Sequence, residues 1–167
     1  VKQQLVGEVV VSPDVGFLEK ARSYAEIMSA DLAALSKERD YSQPNSVFKS
    51  TLIGDVDGRN VLLVDDIIDT AGSVVAAVTE LKQRGANNIV VACAHPVFSD
   101  PAWGRLTDLK QRSELEGWEF QVAGASTIDH PQAPAWYWQF NIEQLVANVL
   151  EKINSRGSVT GVQNHQQ

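Results

Sequence analysis

Three carboxylates and a run of small residues follow a single apolar block in "VLLVDDIIDTAGS", residues 61–73. Val61 to Val64 have the character of a fully buried strand, so Asp65 is the first side chain to emerge from it. Asp66 follows, and Asp69, Thr70, Ala71, Gly72 and Ser73 then form a tight passage from strand to helix. Small side chains let a ligand approach the backbone closely, and Gly72 permits conformations with positive φ. Several N–H groups can converge there, at the positive end of the following helix. That is an anion site, and it suits a phosphate monoester. Thr70 and Ser73 can add hydroxyl donors. Acids beside an anion make sense when the ligand also presents vicinal hydroxyls or a bound cation, because carboxylates accept hydrogen bonds from diols and ligate Mg2+. A sugar phosphate meets both demands, with its phosphate in the turn and its ribose hydroxyls reaching Asp65 and Asp66. Helix capping would explain Asp69 but not two further acids at a strand end.

The elements that must hold this turn can be read from periodicity. "GEVVVSP" (7–13) predicts a buried strand, and Leu18, Ala21, Ala25 and Met28 fall at helical spacing between Phe17 and Ser29. "ADLAALSK" (30–37) returns as a strand, and 38–46 reads as a polar loop. "VFKSTLIGDVDGRN" predicts a strand and then a turn at Asp57-Gly58. The buried strand "NVLLVDD" leads into a helix over 72–86, with Gly85 as its stop and with Lys82 and Arg84 suited to its negative end. "NNIVVACAH" is another buried strand. "DPAWGRLTDLKQR" follows as a helix with Asp100 as N-cap and Pro101 at the first position. "WEFQVAG" (118–124) is a further strand, and 142–155 is an amphipathic helix. Continuous apolar strands alternating with helices predict an α/β fold. The sheet should be mostly parallel and twisted, with helices on both faces and ligands at the carboxyl ends of its strands beside a topological switch point.

The chain has 167 residues, 44% of them hydrophobic and 21% charged, which suits one domain over 1–155 with a loose tail at 156–167. A net charge of −7 and a pI near 4.9 argue against nucleic-acid or anionic-membrane partners. No stretch is long and apolar enough to span a bilayer, and no secretory signal is visible. The one cysteine, Cys93, sits in an apolar run, which excludes a disulfide framework and fits a small buried hydrophobe in a cytoplasmic protein. The chain opens on Val1 and its only methionine is Met28, so it reads as a piece of a longer protein.

"VLLVDDIIDTAGS" resembles the phosphoribosyl-diphosphate motif shared by type I phosphoribosyltransferases and ribose-phosphate diphosphokinases. Three further stretches, "VVVSPDVG" (9–16), "SKERDYSQPN" (36–45) and "ACAHPVFSDPA" (92–102), stand in the order and spacing of the carboxyl-terminal half of the diphosphokinases. The likeness runs over about residues 7–112, and the transferases share only the central motif. It implies a phosphoribosyltransferase-like fold and Mg2+-dependent transfer of diphosphate from ATP to the 1-hydroxyl of ribose 5-phosphate. It also implies a cytoplasmic homo-oligomer, and an amino-terminal half that this chain lacks.

Through that resemblance, Lys37 and Arg39 match the lysine and arginine of a mobile catalytic loop; without it they would be an ordinary solvated pair. Cations in that place would neutralise charge spread over phosphoryl oxygens during transfer. Asp14 matches a magnesium-linked aspartate, although Ser12-Pro13-Asp14 could simply end a strand and cap the next helix. Asp65 and Asp66 match acids that contact ribose. Asp69, Thr70, Ala71, Gly72 and Ser73 match the 5-phosphate loop, with Ser73 where threonine is usual. His95 would support the site structurally.

The pattern also departs from the family. Phe17 replaces a glycine and Lys20 an arginine, and Asp40, Tyr41 and Gln43 stand where basic residues are common. Beyond Ser113 the match thins into "GASTIDHPQAPAWYWQFNIEQL", where Trp136 and Trp138 flank Tyr137 as packing or as a subunit contact. Two competing functions stay open on these grounds: a phosphoribosyltransferase acting on a nucleobase, and a non-catalytic relative that regulates the synthetase.

Overall fold

The computed structural model describes residues 7–38 and 49–162. A first unit runs β1 (Val9–Ser12), α1 (Leu18–Met28) and β2 (Asp31–Glu38), after which β3 (Lys49–Ile53) lies antiparallel on β2. β4 (Val61–Ile68), α2 (Gly72–Gln83), β5 (Ile89–Pro96), α3 (Ala102–Glu116) and β6 (Phe120–Ala125) alternate next, and β7 (Tyr137–Phe140) and α4 (Glu143–Asn154) follow. Among the described residues the strands form one sheet in the order β3-β2-β1-β4-β5-β6-β7, parallel except at the β2–β3 pair. The mostly parallel α/β sheet expected from the sequence is the sheet observed.

Connectivity follows from burial. β4 is buried residue by residue from Val61 to Val64, which only a strand covered on both faces can be. One face carries α2 and α3 over Val9, Val11, Leu63, Val91 and Phe120. The other carries α1, whose Ala21 and Ala25 close on Val10, Leu62 and Val64 together with Phe17. Phe17, the ring in place of glycine, is thus spent on packing at the head of α1 rather than on a ligand pocket. The chain winds one way from β1 to β2 and the other way from β4 to β6. The switch point therefore lies between β1 and β4, and the segments that leave those two strands flank the crevice.

Four details differ from the sequence expectation. Asp100 does not cap α3: the helix starts after Pro101, no side chain caps it, and the Ala102 N–H goes to the Ser99 carbonyl at 2.8 Å. A turn closed by the backbone itself leaves the Asp100 carboxylate no donor to accept. β7 was not expected. It pairs parallel with β6, burying Tyr137 against Phe98 and Trp103, while Trp136 packs on Phe120 and Trp138 remains 50% exposed. α4 has the predicted amphipathic pattern, yet none of its residues is buried, and Val146, Leu150 and Ile153 are 45%, 60% and 59% exposed. Within the segment read as a tail, Thr160–Val162 form a turn of 3-10 helix with Val162 buried.

Candidate active site

Two segments meet at the carboxyl end of the sheet. Asp14 follows β1, and residues 65–73 complete β4 and enter α2. Asp14 Oδ1 accepts the Phe17 N–H at 2.9 Å, and Ser12 Oγ donates to the Asp14 carbonyl at 2.6 Å. Asp14 thus closes the turn ahead of α1 rather than capping the helix, which starts at Leu18 without a side-chain cap, and its second oxygen has no hydrogen-bond donor among the described residues.

Asp65 is half-buried and accepts the backbone N–H of Asp66 on Oδ1 at 2.9 Å. It closes one end of an apolar groove of about 330 Å³ lined by Tyr24, Met28, Leu62, Val64 and Ala92. Removal from water raises its pKa from 3.8 to about 6, and the nearby charges of Asp66 and Asp14 push the same way. Three carboxylates within electrostatic reach of one another favour a bound cation. Mg2+ commonly takes only one or two protein carboxylates, the rest of its shell being water and substrate phosphate. The described residues hold no group of three or more His, Cys, Asp or Glu arranged as a complete metal cage, and that mode of binding needs none. Asp66 is exposed and meets Lys20 Nζ at 3.8 Å, with both side chains more than half accessible. Such a surface pair contributes about 0–1 kcal/mol and yields readily to a ligand.

The raised pKa sets a stability signature. The folded state holds its Asp65 proton more tightly than the unfolded chain does, so this contribution is full below about pH 4 and lost as pH rises through about 6. Partial exposure screens the effect to on the order of 1 kcal/mol. Asp65→Asn is expected to remove that decline. Denaturation midpoints of wild type and variant at about pH 4 and about pH 7.5 will show it.

The turn itself is built around Ala71. Its φ of 59° and ψ of 8° are left-handed, and its side chain is 2% exposed within the main core. The positive φ expected at Gly72 therefore falls one residue earlier, at a residue whose methyl pins the turn to the core. A non-glycine left-handed residue costs about 1–2 kcal/mol, so the surrounding packing must hold it there. The turn exposes Asp69, Thr70, Gly72 and Ser73. The backbone N–H groups of Thr70, Ala71, Gly72 and Ser73 have no acceptor among the described residues. They lie at the positive end of a helix of 12 residues with no acid in its first turn.

Gly72 serves a different purpose from the one its residue type suggested. A Cβ there would meet Arg105 Nη1 at 3.3 Å, so its bare Cα makes room for a guanidinium from α3. Arg105 Nη1 donates to the Thr70 carbonyl at 2.9 Å. Sequence reasoning gave Arg105 no part in the site. The usable signal was a cation in the first turn of a helix, where the macrodipole disfavours it.

The remaining candidates divide. Lys37 lies on β2 opposite Ser50 of β3, three positions past Ala34, which pairs with Ser12 at the end of β1. Its backbone therefore overhangs the same edge of the sheet as Asp14. Arg39 lies outside the described residues. His95, at the end of β5 beside Ile67, meets Thr127 Oγ1 through Nδ1 at 3.2 Å. Thr127 donates its hydroxyl hydrogen to the Ala94 carbonyl, so in neutral His95 the proton sits on Nδ1. Cys93 is buried and unpaired, as expected, and burial pushes its thiol up to about 12. A larger groove of about 550 Å³ lies between Trp103 and Thr107 of α3 and residues 129–134.

The family model described as the phosphoribosyl transferase domain matches residues 3–144, which contain the whole sheet and the turn just described. The chain belongs to that family. Curated ribose-phosphate pyrophosphokinases of Staphylococcus aureus and Staphylococcus saprophyticus are each 33% identical to it over 152 residues. The matches cover 91% of this chain and 45% of theirs, so the chain spans about half the length of the curated relatives it matches. The crystal structure of phosphoribosylpyrophosphate synthetase from Mycobacterium smegmatis superimposes with a TM-score of 0.74 at 29% identity, covering 93% of this chain and 48% of that one. The described residues include no helix long and apolar enough to cross a membrane.

Proposed function

We propose that this chain supplies the ribose-phosphate side of a ribose-phosphate diphosphokinase. In that reaction the 1-hydroxyl oxygen of ribose 5-phosphate attacks the β-phosphorus of ATP. One P–O bond forms, the bond from that phosphorus to the α–β bridging oxygen breaks, AMP leaves, and the hydroxyl proton is lost. The observation that carries the reading is the turn at 69–73. It offers N–H groups without protein acceptors at a helix start, one step from two strand-end carboxylates. The names of the matched relatives favour the synthetase over a nucleobase transferase.

In this reading the 5-phosphate sits on the amides of Thr70 to Ser73, with the Thr70 and Ser73 hydroxyls beside it and Asp69 ordering the turn. Asp65 and Asp66 accept hydrogen bonds from the ribose hydroxyls, which fixes the sugar's orientation. Lys37, near the end of β2, and Arg39 neutralise the diphosphoryl charge. Mg2+, when bound, neutralises phosphoryl charge, and Asp14 with the free edge of the acid pair would hold it. A homo-oligomer is part of the proposal, and the uncovered apolar face of α4 supports it. So is a cytoplasmic setting, supported by a single reduced cysteine.

Calorimetry of the 167-residue chain should show saturable binding of ribose 5-phosphate and at least ~100-fold weaker binding of ribose, the loss expected for a phosphate held by several charge-assisted hydrogen bonds. Equal affinity for the two sugars would refute the reading.

A further inference from the structure

Arg105 sits in an unusual setting for a surface cation. It is exposed, yet its guanidinium is anchored to a backbone carbonyl rather than left to water. That carbonyl belongs to Thr70, inside the turn, and the bare Cα of Gly72 leaves the space the guanidinium fills. No carboxylate among the described residues pairs with Arg105. Lys20, Arg59, Lys110 and Arg112 each meet an acid within 4 Å, and Lys82, which like Arg105 meets none, is held by the Ala86 and Asn87 carbonyls away from the turn. Nor does the local field reward Arg105. It stands in the first turn of α3, where the helix presents its own positive end. A cation with no acid partner, bonded by one of its donors to the turn whose amides lack protein acceptors, has an anion as its natural complement.

We propose that Arg105 is the second arm of the phosphate cradle. It reaches from α3 across to the β4–α2 turn, fixes the Thr70 carbonyl with Nη1, and gives its remaining donors to the 5-phosphate of the sugar. This rests on the ribose-phosphate reading of the turn and adds a residue to it. The chemistry explains the division of labour. Backbone amides supply geometry but no net charge, and Asp65, Asp66 and Asp69 surround the turn with negative charge. A dianionic phosphate therefore needs a fixed cation, and Arg105 is placed to be that cation. A guanidinium serves better than an ammonium, because it can bond a carbonyl and a phosphoryl oxygen at once from one rigid plane. The arrangement also assigns Gly72 a function: it keeps the passage between turn and helix open for the arm.

The test is calorimetry of the 167-residue chain with ribose 5-phosphate at two NaCl concentrations, on wild type, Arg105→Gln and Arg105→Lys. Arg105→Gln is expected to bind ~10–30-fold more weakly, with Arg105→Lys between it and wild type. Affinity should fall less steeply with salt in Arg105→Gln than in wild type, since one charge contact is gone. The melting temperature without ligand should be unchanged, as expected for an exposed side chain. Affinities of wild type and Arg105→Gln within twofold of each other would overturn the proposal. So would a loss of affinity with an unaltered salt dependence, which would make Arg105 a prop for the turn and no charge donor. If wild type itself binds no ribose 5-phosphate, the ribose-phosphate reading fails first, and inorganic phosphate titrated into the same three proteins then tests the arm alone.

Discussion

Replacing Lys37 by alanine in the full-length natural protein will reduce diphosphoryl transfer by about 10²–10³-fold while leaving ribose 5-phosphate affinity within twofold. The size of the effect follows from where charge develops. In phosphoryl transfer, negative charge spreads over the phosphoryl oxygens in the transition state, so a cation held there stabilises that state more than the bound ground state. The split between turnover and affinity follows from position. Lys37 lies on β2, beyond the point where β1 ends, whereas the turn at 69–73 leaves β4 on the far side of β1. The sugar's 5-phosphate and the transferred group are at opposite ends of the ribose, so the two sites can be separated by mutation. Release of AMP from ATP gives the rate and calorimetry gives the affinity. Turnover within threefold of wild type would remove Lys37 from the mechanism.

Gly72→Val is the complementary experiment and should abolish binding without unfolding the chain. Gly72 opens α2 and is not among the residues with positive φ, so valine can adopt its backbone conformation with no loss of helix propensity relative to glycine. The space is what valine cannot share. Its Cβ would stand 3.3 Å from Arg105 Nη1 and 3.9 Å from Thr70 Oγ1, and its two γ-methyls would extend over the exposed first amides of α2. Arg105 would be displaced and phosphate would be kept from the backbone. A loss of ~100-fold or more in ribose 5-phosphate affinity, about 3 kcal/mol, is expected with a melting temperature close to wild type. Retained affinity would mean that the phosphate lies elsewhere and would count against the turn.

The core elements were legible because their signals are local. The apolar block Val61–Val64, the helical spacing of Leu18, Ala21, Ala25 and Met28, and Gly85 at the end of α2 each specify structure within a few residues of chain. Buried strands alternating with helices then left a parallel sheet as the consistent packing, and the acids of "DDIID" had to fall at its carboxyl edge. β7 carried no comparable signal. Four residues, Tyr137–Phe140, become a strand because β6 offers an open edge.

By itself the sequence determined that the chain is α/β, that a tight turn of small residues follows β4, and that carboxylates stand beside it. Each of these depends on residue type and short spacing. Tertiary structure decided that Ala71 rather than Gly72 takes the left-handed conformation, because its methyl has a place in the core. It decided that burial holds Asp65 partly protonated near pH 6. It also brought Arg105 to the Thr70 carbonyl across 35 residues of chain. Those outcomes depend on which atoms surround a residue, and packing between distant segments sets that environment.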